Sequence, residues 1–298
     1  MFLSKLLNKI PAHRKGLIYI SFTAFLWSSS GLFIKLLNIN AFQISFFRSA
    51  IAALTIFFVT ILRKKKVKFE FDTVSNLSAF FYAGILILFV IATKMTTAAN
   101  AIFLQFTAPI YLVILEPIFL KTKFESKNLI TIIICIFGMV LFFFGRLELG
   151  NIYGNLLAIC SGICFAMFSL LLKYKKIRKN SNNTIQSAIM GNVLVAVITF
   201  FLVFPSFSLS MSEALILIYM GVIQIGISYI IFNEGIKYVS ATESMIIATL
   251  EAIFNPIWVF AGIGEAPSVY AIIGGLIIFS AIIWRNFNKK EKQLIVSS

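Results

Sequence analysis

The side chains that could do chemistry are few, and they stand inside long apolar runs. Glu251 lies near the middle of the run 243–263, and Asn255 follows one helical turn later on the same face. Pro256 has no N–H, so in a helix the carbonyl of Ala252 loses its partner. A carboxyl, an amide and a free carbonyl at one level would suit a substrate ammonium or a proton. The same groups would also serve to bond a neighbouring helix, in which case Glu251 only fixes packing.

Arg48 sits seven residues into the run 41–62, about 10 Å below its start if the run is helical. An ionisable group in hydrocarbon costs about 2.5–3.5 kcal/mol on insertion scales. Arg48 can snorkel or pair with a carboxylate, and we read it as structural. Glu116, just before Pro117, is expected to reach an interface or to pair with a loop lysine. Trp27 lies at mid-run, away from the interfacial belt usual for tryptophan, and either stacks on a substrate or fills space. Ser28, Ser29 and Ser30 follow it, ahead of Gly31; serines beside glycine permit close helix packing or contact a ligand. Gln105 lies one turn before Pro109, whose missing N–H frees the Gln105 carbonyl. Gln224 and Ser228 share a helix face, with Tyr229 adjacent, and Asn100 stands near a run's end. Any one of these residues serves as packing glue as readily as ligand contact. As a set, the candidates for substrate binding or ion coupling are Glu251, Asn255, Trp27, Ser28, Gln105, Gln224, Ser228 and Tyr229, with helix kinks at Pro109 and Pro256.

Enzyme chemistry finds little support. The one histidine, His13, is in the N-terminal tail, with no HExxH helix and no phosphate-binding glycine loop. Cys135, Cys160 and Cys164 lack the partners of a zinc site and are read as small residues in lipid-embedded helices. No metal, no cofactor and no nucleic-acid partner is expected.

Composition explains why the polar groups are so sparse. Hydrophobic residues make up 60 % and charged residues 12 % of 298, too apolar a balance for a water-soluble globule. About 30 Å of hydrocarbon needs about 20 apolar residues in a helix. Ten runs qualify, at roughly 16–37, 41–62, 74–94, 98–120, 128–145, 152–172, 184–204, 213–233, 243–263 and 268–285. None alternates as a barrel strand would, so all are read as transmembrane helices.

The net charge of +15 is concentrated between these runs. With the N-terminus inside, the basic clusters at Lys5–Lys15, Arg63–Lys68, Lys121–Lys127, Lys173–Lys179 and Arg285–Lys292 all fall on the cytoplasmic side. The run 173–180 is read as a loop that sets orientation, and Lys35 and Lys173 as snorkelling anchors. Both termini are therefore expected in the cytoplasm, in a chain spanning the plasma membrane of a bacterial cell.

A repeat underlies this pattern. Gly16, Ala24 and Lys35 match Gly154, Gly162 and Lys173 at an offset of 138 positions. Lys94, Ala98, Ile110 and Ile114 match Lys237, Ala241, Ile253 and Ile257 at 143. Pro109, Pro117 and Pro256 fall in the fourth run of each five-run half. Five is odd, so the second half enters the membrane inverted, as in many transporters. The expected divisions are a tail at 1–15, repeats at 16–145 and 146–285, and a tail at 286–298.

Segments 92–116 (ATKMTTAANAIFLQFTAPIYLVILE) and 236–268 (IKYVSATESMIIATLEAIFNPIWVFAGIGEAPS) resemble the fourth and ninth helices of EamA-type members of the drug/metabolite transporter superfamily. WSSSGLFIKLL (27–37) and FFRSAIAAL (46–54) resemble its first two helices, so the likeness spans about 16–285. The resemblance implies an all-α membrane protein of ten transmembrane helices, built as two inverted five-helix repeats around a central cavity. It also implies that helices 1, 3, 4, 6, 8 and 9 line that cavity, with helix 2 peripheral, and that small metabolites, often amino acids, are exported. One departure stands out: Lys121–Thr122 replaces the family's Gly-Glu after helix 4, while Gly264–Glu265 keeps it after helix 9.

The expectation is a secondary transporter working by alternating access. Its partners would be the bilayer, a small-molecule substrate and a proton as coupling ion, in a monomer or homodimer. A channel or facilitator, or a flippase for lipid-like substrates without ion coupling, is the alternative. Fused after Ser298, green fluorescent protein should fluoresce and alkaline phosphatase should be inactive; active phosphatase would invert the orientation.

Overall fold

The computed structural model describes residues 10–63, 69–142, 144, 151–179, 184–203, 208–263 and 268–287, and among them every regular element is helical. Ten helical units result. α1 has two parts, Ala12–Trp27 and Ser30–Leu36. α2 is Ala41–Leu62 and α3 is Thr73–Met95. α4 is again in two parts, Ala98–Gln105 and Ala108–Leu120. α5 is Ser126–Phe142, α6 is Ile152–Arg178 and α7 is Ile185–Val203. α8 runs from Met211–Tyr219 through a π-helical segment, Met220–Ile227, to Ser228–Gly235. α9 comprises Ala241–Ala248 and Leu250–Ile263, and α10 is Val269–Phe287. Eight of these units are long and apolar enough to cross a bilayer, and α5 and α10 carry shorter apolar stretches. Large apolar side chains such as Phe22, Leu54, Phe58, Phe201 and Leu276 face outward, as lipid contact requires.

Local sequence sets several helix starts. Asn40 and Gln43 form a capping box ahead of α2, as Ser210 and Glu213 do ahead of α8. Asp72, Thr97, Asn151 and Ser240 cap α3, α4, α6 and α9 through their side chains. At the end of α4, Lys121 has φ 55°, a left-handed conformation that favours glycine. A glycine would adopt this backbone conformation more readily than the lysine that is there. Glu265 and Gly264 lie outside the described residues, as do Lys5, Lys9, Lys64–Lys68 and Lys289–Lys292 of the topology argument.

The two halves make matched contacts. α3 packs on α6 as α8 packs on α1, α7 on α3 as α2 on α8, and α4 on α6 as α9 on α1. The glycines show the same exchange in detail. A Cβ on Gly16 would lie 2.7 Å from Val239 and 3.0 Å from Tyr238; one on Gly154 would lie 2.9 Å from Met95 and 3.1 Å from Thr96. Met95 and Thr96 stand 143 positions before Tyr238 and Val239. The lysines repeat it: Lys35 Nζ donates to the Thr96 carbonyl (2.8 Å), and Lys173 Nζ to the Val239 carbonyl (2.5 Å). Gly16 begins α1 and Lys35 ends it, so these equivalent junctions lie at opposite ends of the bundle, which is an inverted repeat.

Several expectations change. Lys173 is buried and bonds the carbonyls of Ile236, Lys237 and Val239, so it fastens the α8–α9 turn and does not snorkel. The basic run 173–180 is not a free loop, because α6 continues to Arg178. Buried Lys175 pairs with Glu70 (3.2 Å), and Lys179 pairs with Asp72. Burial works against the Asp72 carboxylate, yet hydrogen bonds from Lys179 and Ser75, with the charges of Lys179 and Lys175, hold it well below the usual carboxylate range.

Regularity is unequal between the matched seams. α1 is interrupted at Ser28–Ser29 and α8 is π-helical at mid-length, whereas their counterparts α6 and α3 are continuous. α4 breaks at Phe106–Thr107 and α9 at Thr249. Pro109 does not bend α4 from within; it is the second residue of the restarted helix, where its missing N–H costs nothing. α9 runs through Pro256, and its break comes seven residues earlier. Gly162 lets α6 reach the α4 break, since a Cβ there would lie 2.7 Å from the Gln105 carbonyl oxygen. Gly162→Ala should therefore lower stability by about 1–3 kcal/mol. Gly262→Ala, facing only the flexible end of Leu32 at 3.2 Å, should be neutral or stabilising. Thermal midpoints of the purified variants check both.

Candidate substrate site

The helix irregularities surround one internal cavity of about 50 Å³. Trp27 and Ser30 of α1, Gln105 of α4, Gln224, Ile225 and Tyr229 of α8, and Glu251 of α9 all stand at or next to an irregularity, and all line it. Ile85, Leu86 and Phe89 of α3, Phe165 of α6 and Arg48 of α2 complete the wall. The six helices expected around a cavity are thus present, and α2 joins them.

Each interruption carries the same local device. A hydroxyl donates to the carbonyl three residues back: Ser28 to Phe25 (2.6 Å), Thr107 to Leu104 (2.7 Å), Ser228 to Ile225 (3.1 Å) and Thr249 to Ile246 (2.7 Å). These bonds occupy carbonyls in turns where the helix ladder is disturbed.

Of the eight candidate residues, five meet in the cavity: Trp27, Gln105, Gln224, Tyr229 and Glu251. The other three support it. Ser28 serves the α1 break and accepts from Trp258 Nε1 (2.7 Å), while its carbonyl accepts from Asn255 Nδ2 (2.8 Å). Asn255 and Glu251 both face α1, as their spacing predicts, but Asn255 is bonded to backbone outside the cavity wall. Ser228 accepts from the Trp27 indole (2.7 Å) and donates to the Gln224 and Ile225 carbonyls.

The wall is rigidly aromatic on one side. The Trp27 ring centroid lies 4.8 Å from Tyr229, 5.3 Å from Phe232 and 5.5 Å from Phe165. Tyr229 in turn meets Tyr82 edge-on at 4.6 Å. Gln105 donates to Ser161 (2.7 Å) and Gln224 to Ser29 (3.1 Å). Glu251 is 4 % exposed, and its one hydrogen-bond partner among the described residues is Ser30, at 3.5 Å. The sequence reading placed Arg48 in a structural role on a peripheral helix, yet the structure puts it in the cavity wall. The signal was present: an ionisable residue within a membrane run is by default a site candidate. Ser30 and Phe165 carried no such mark. Among the described residues no group of histidine, cysteine and carboxylates could hold a metal.

Comparison with known proteins gives this architecture a context. The EamA-like transporter family matches residues 14–144 and 152–287, most of both halves. The chain belongs to the EamA-like transporter family. An uncharacterized transporter of Clostridium kluyveri is 26 % identical, covering 94 % of this chain and 96 % of its own. An uncharacterized transporter of Archaeoglobus fulgidus is 22 % identical over 89 % and 95 %. Mouse solute carrier family 35 member G1 is 26 % identical over 91 % of this chain and 78 % of its own. A solved crystal structure superimposes with a TM-score of 0.77 over 92 % of this chain and 98 % of the other, at 15 % identity, a likeness of fold alone. The protein is accordingly a multi-pass membrane transporter.

In this EamA-like transporter both ends of the bundle are tied by polar contacts. At the end where α1 begins, Glu116 accepts from the Ala241 and Thr242 amides (2.9 and 2.7 Å) and from the Thr242 hydroxyl (2.6 Å). Glu116 thus caps α9; of the two expectations for it, an interface or a loop lysine, the lysine pairing is not found among the described residues. Buried Glu243 bonds Arg285 and His13 (2.8 Å), and Arg285 also donates to Asn128 (2.8 Å), joining α1, α5, α9 and α10. At the opposite end Lys94 donates to the Leu37 carbonyl (2.5 Å), and Thr96 and Asn100 meet Asn155 (2.9 and 3.2 Å). Glu116→Ala strands two buried amides and should cost about 3 kcal/mol. Glu116→Gln, which keeps one acceptor, should cost less; equal midpoints for wild type and Glu116→Ala would deny the cap its role.

Proposed function

We propose that the protein is a secondary active exporter of small amphipathic metabolites, with amino acids as the substrate class, working by alternating access and coupled to protons. The observation that supports this best is the cavity itself. It holds a sparsely bonded carboxyl, Glu251, beside aromatic and amide side chains, in a bundle whose two ends are each held by polar contacts. A carrier needs a central site that neither side reaches continuously; a pore does not. At about 50 Å³ the cavity has room for about three to five waters. One end must therefore open for a metabolite to enter. Glu251 is the group to bind a substrate ammonium or a proton, in exchange for each other. The apolar part of the wall suits hydrophobic or aromatic side chains. The basic clusters support cytoplasmic termini in a bacterial inner membrane.

Proteoliposomes loaded and assayed with a labelled amino-acid panel test the reading. Saturable uptake, stimulated by unlabelled substrate on the far side and accelerated by an imposed pH gradient, is expected; a channel would show no trans-stimulation. Glu251→Gln should lose the acceleration by the gradient, a drop of about tenfold or more in gradient-driven uptake. Full and still pH-sensitive transport by Glu251→Gln would remove the residue from the mechanism.

A further inference from the structure

Arg48 is 3 % exposed, too deep to snorkel, and no described carboxylate lies within ion-pair distance of it. Its hydrogen bond is a single donation from one terminal nitrogen to the Leu86 carbonyl, at 3.3 Å, and its Nε has no partner. A guanidinium offers five N–H donors in a planar fork matched to a carboxylate. A purely structural arginine at this depth would be expected to use most of them. Arg48 instead lines the cavity that Glu251 also lines. The other unpaired atom on that wall is an acceptor, Gln224 Oε1, which has no donor. Three side chains that line one cavity thus carry a donor (Arg48) and an acceptor (Gln224) without a protein partner and a carboxyl (Glu251) with one long hydrogen bond.

The backbone is shaped to put Arg48 there. α2 meets α8 within its π-helical segment, where Gly221 has no side chain. A Cβ on Gly221 would lie 2.6 Å from Ile51 and 3.0 Å from the Arg48 carbonyl oxygen. π-Helical segments inside α-helices occur often at functional sites. This one brings Gln224 and Arg48 to the same space.

We propose that Arg48 is a substrate-binding residue that receives the carboxylate of a zwitterionic substrate, while Glu251 and Gln224 take its ammonium group. The inference deepens the transporter reading above and rests on it for the identity of the cavity as the transport site. It converts α2 from a peripheral helix into one that discriminates substrates by their acidic group. An amine without a carboxylate would leave the Arg48 fork unfilled, and an acid without an amine would leave Glu251 and Gln224 unfilled.

Three probes that differ only in these groups test it: L-phenylalanine, phenethylamine and 3-phenylpropionate. Binding to the purified full-length protein is measured by thermal shift in detergent, and transport by counterflow in proteoliposomes. Arg48→Gln should weaken L-phenylalanine and 3-phenylpropionate by about tenfold or more and leave phenethylamine within about twofold. Arg48→Lys, which keeps the charge without the fork, should fall between wild type and Arg48→Gln. Glu251→Gln should show the opposite selectivity, losing phenethylamine and sparing 3-phenylpropionate. Equal weakening of all three probes by Arg48→Gln would overturn the assignment, as would failure of both Arg48 variants to fold. So would wild-type protein that binds neither carboxylate. Binding with the expected selectivity but no counterflow would leave Arg48 assigned and refute the alternating-access carrier mechanism instead.

Discussion

In a hydrocarbon layer a backbone carbonyl that loses its helical partner has no water to turn to. Four helices here are nonetheless irregular at mid-length, and at each a serine or threonine hydroxyl bonds the carbonyl three residues back. The irregular turns lie where the cavity lies, with Trp27, Gln105, Gln224 and Glu251 at or near them. At three of the four the same carbonyl also accepts a backbone N–H, from Thr107, Ser228 and Thr249, so the hydroxyl is a second donor to a tightened turn.

The large-scale architecture was legible because it depends on sums. Ten apolar runs, clustered lysines and a repeat offset are properties of many residues together, and errors of a few positions do not disturb them. Helix ends were less so: α6 runs six residues past the expected 172 because its lysines find carboxylates and carbonyls to bond. The breaks were misplaced for a physical reason. Proline marks a missing N–H in any sequence, whereas a hydroxyl gives no sign of whether it will serve a ligand or its own backbone. In the sequence Ser28 and Ser228 fit packing glue as readily as ligand contact, and Pro256 marks a kink in α9. Only coordinates show the hydroxyls occupied by carbonyls and the break at Thr249.

Glu251 and Arg48 were visible for the same reason, as charges where charge is expensive. What the sequence could not convey was that they share a cavity, since α2 and α9 are some 200 positions apart and nothing in spacing relates them. The polar ties at the bundle ends are of the same kind. His13, Glu243 and Arg285 are isolated in sequence and come together only when α1, α9 and α10 converge.

The inverted halves are alike in contacts but not in regularity. Along the α3–α6 seam both helices keep every turn, and a sideways bend there must stretch a full ladder of backbone bonds. Along the α1–α8 seam the ladder is interrupted at Ser28–Ser29 in one helix and shifted to the wider π-helical register through Met220–Ile227 in the other. The regular seam and the irregular seam face the same cavity, and the irregular one carries Trp27, Gln224 and Tyr229. Approximate twofold symmetry in the chain thus yields an asymmetric machine, with one regular wall and one irregular wall around the same small space.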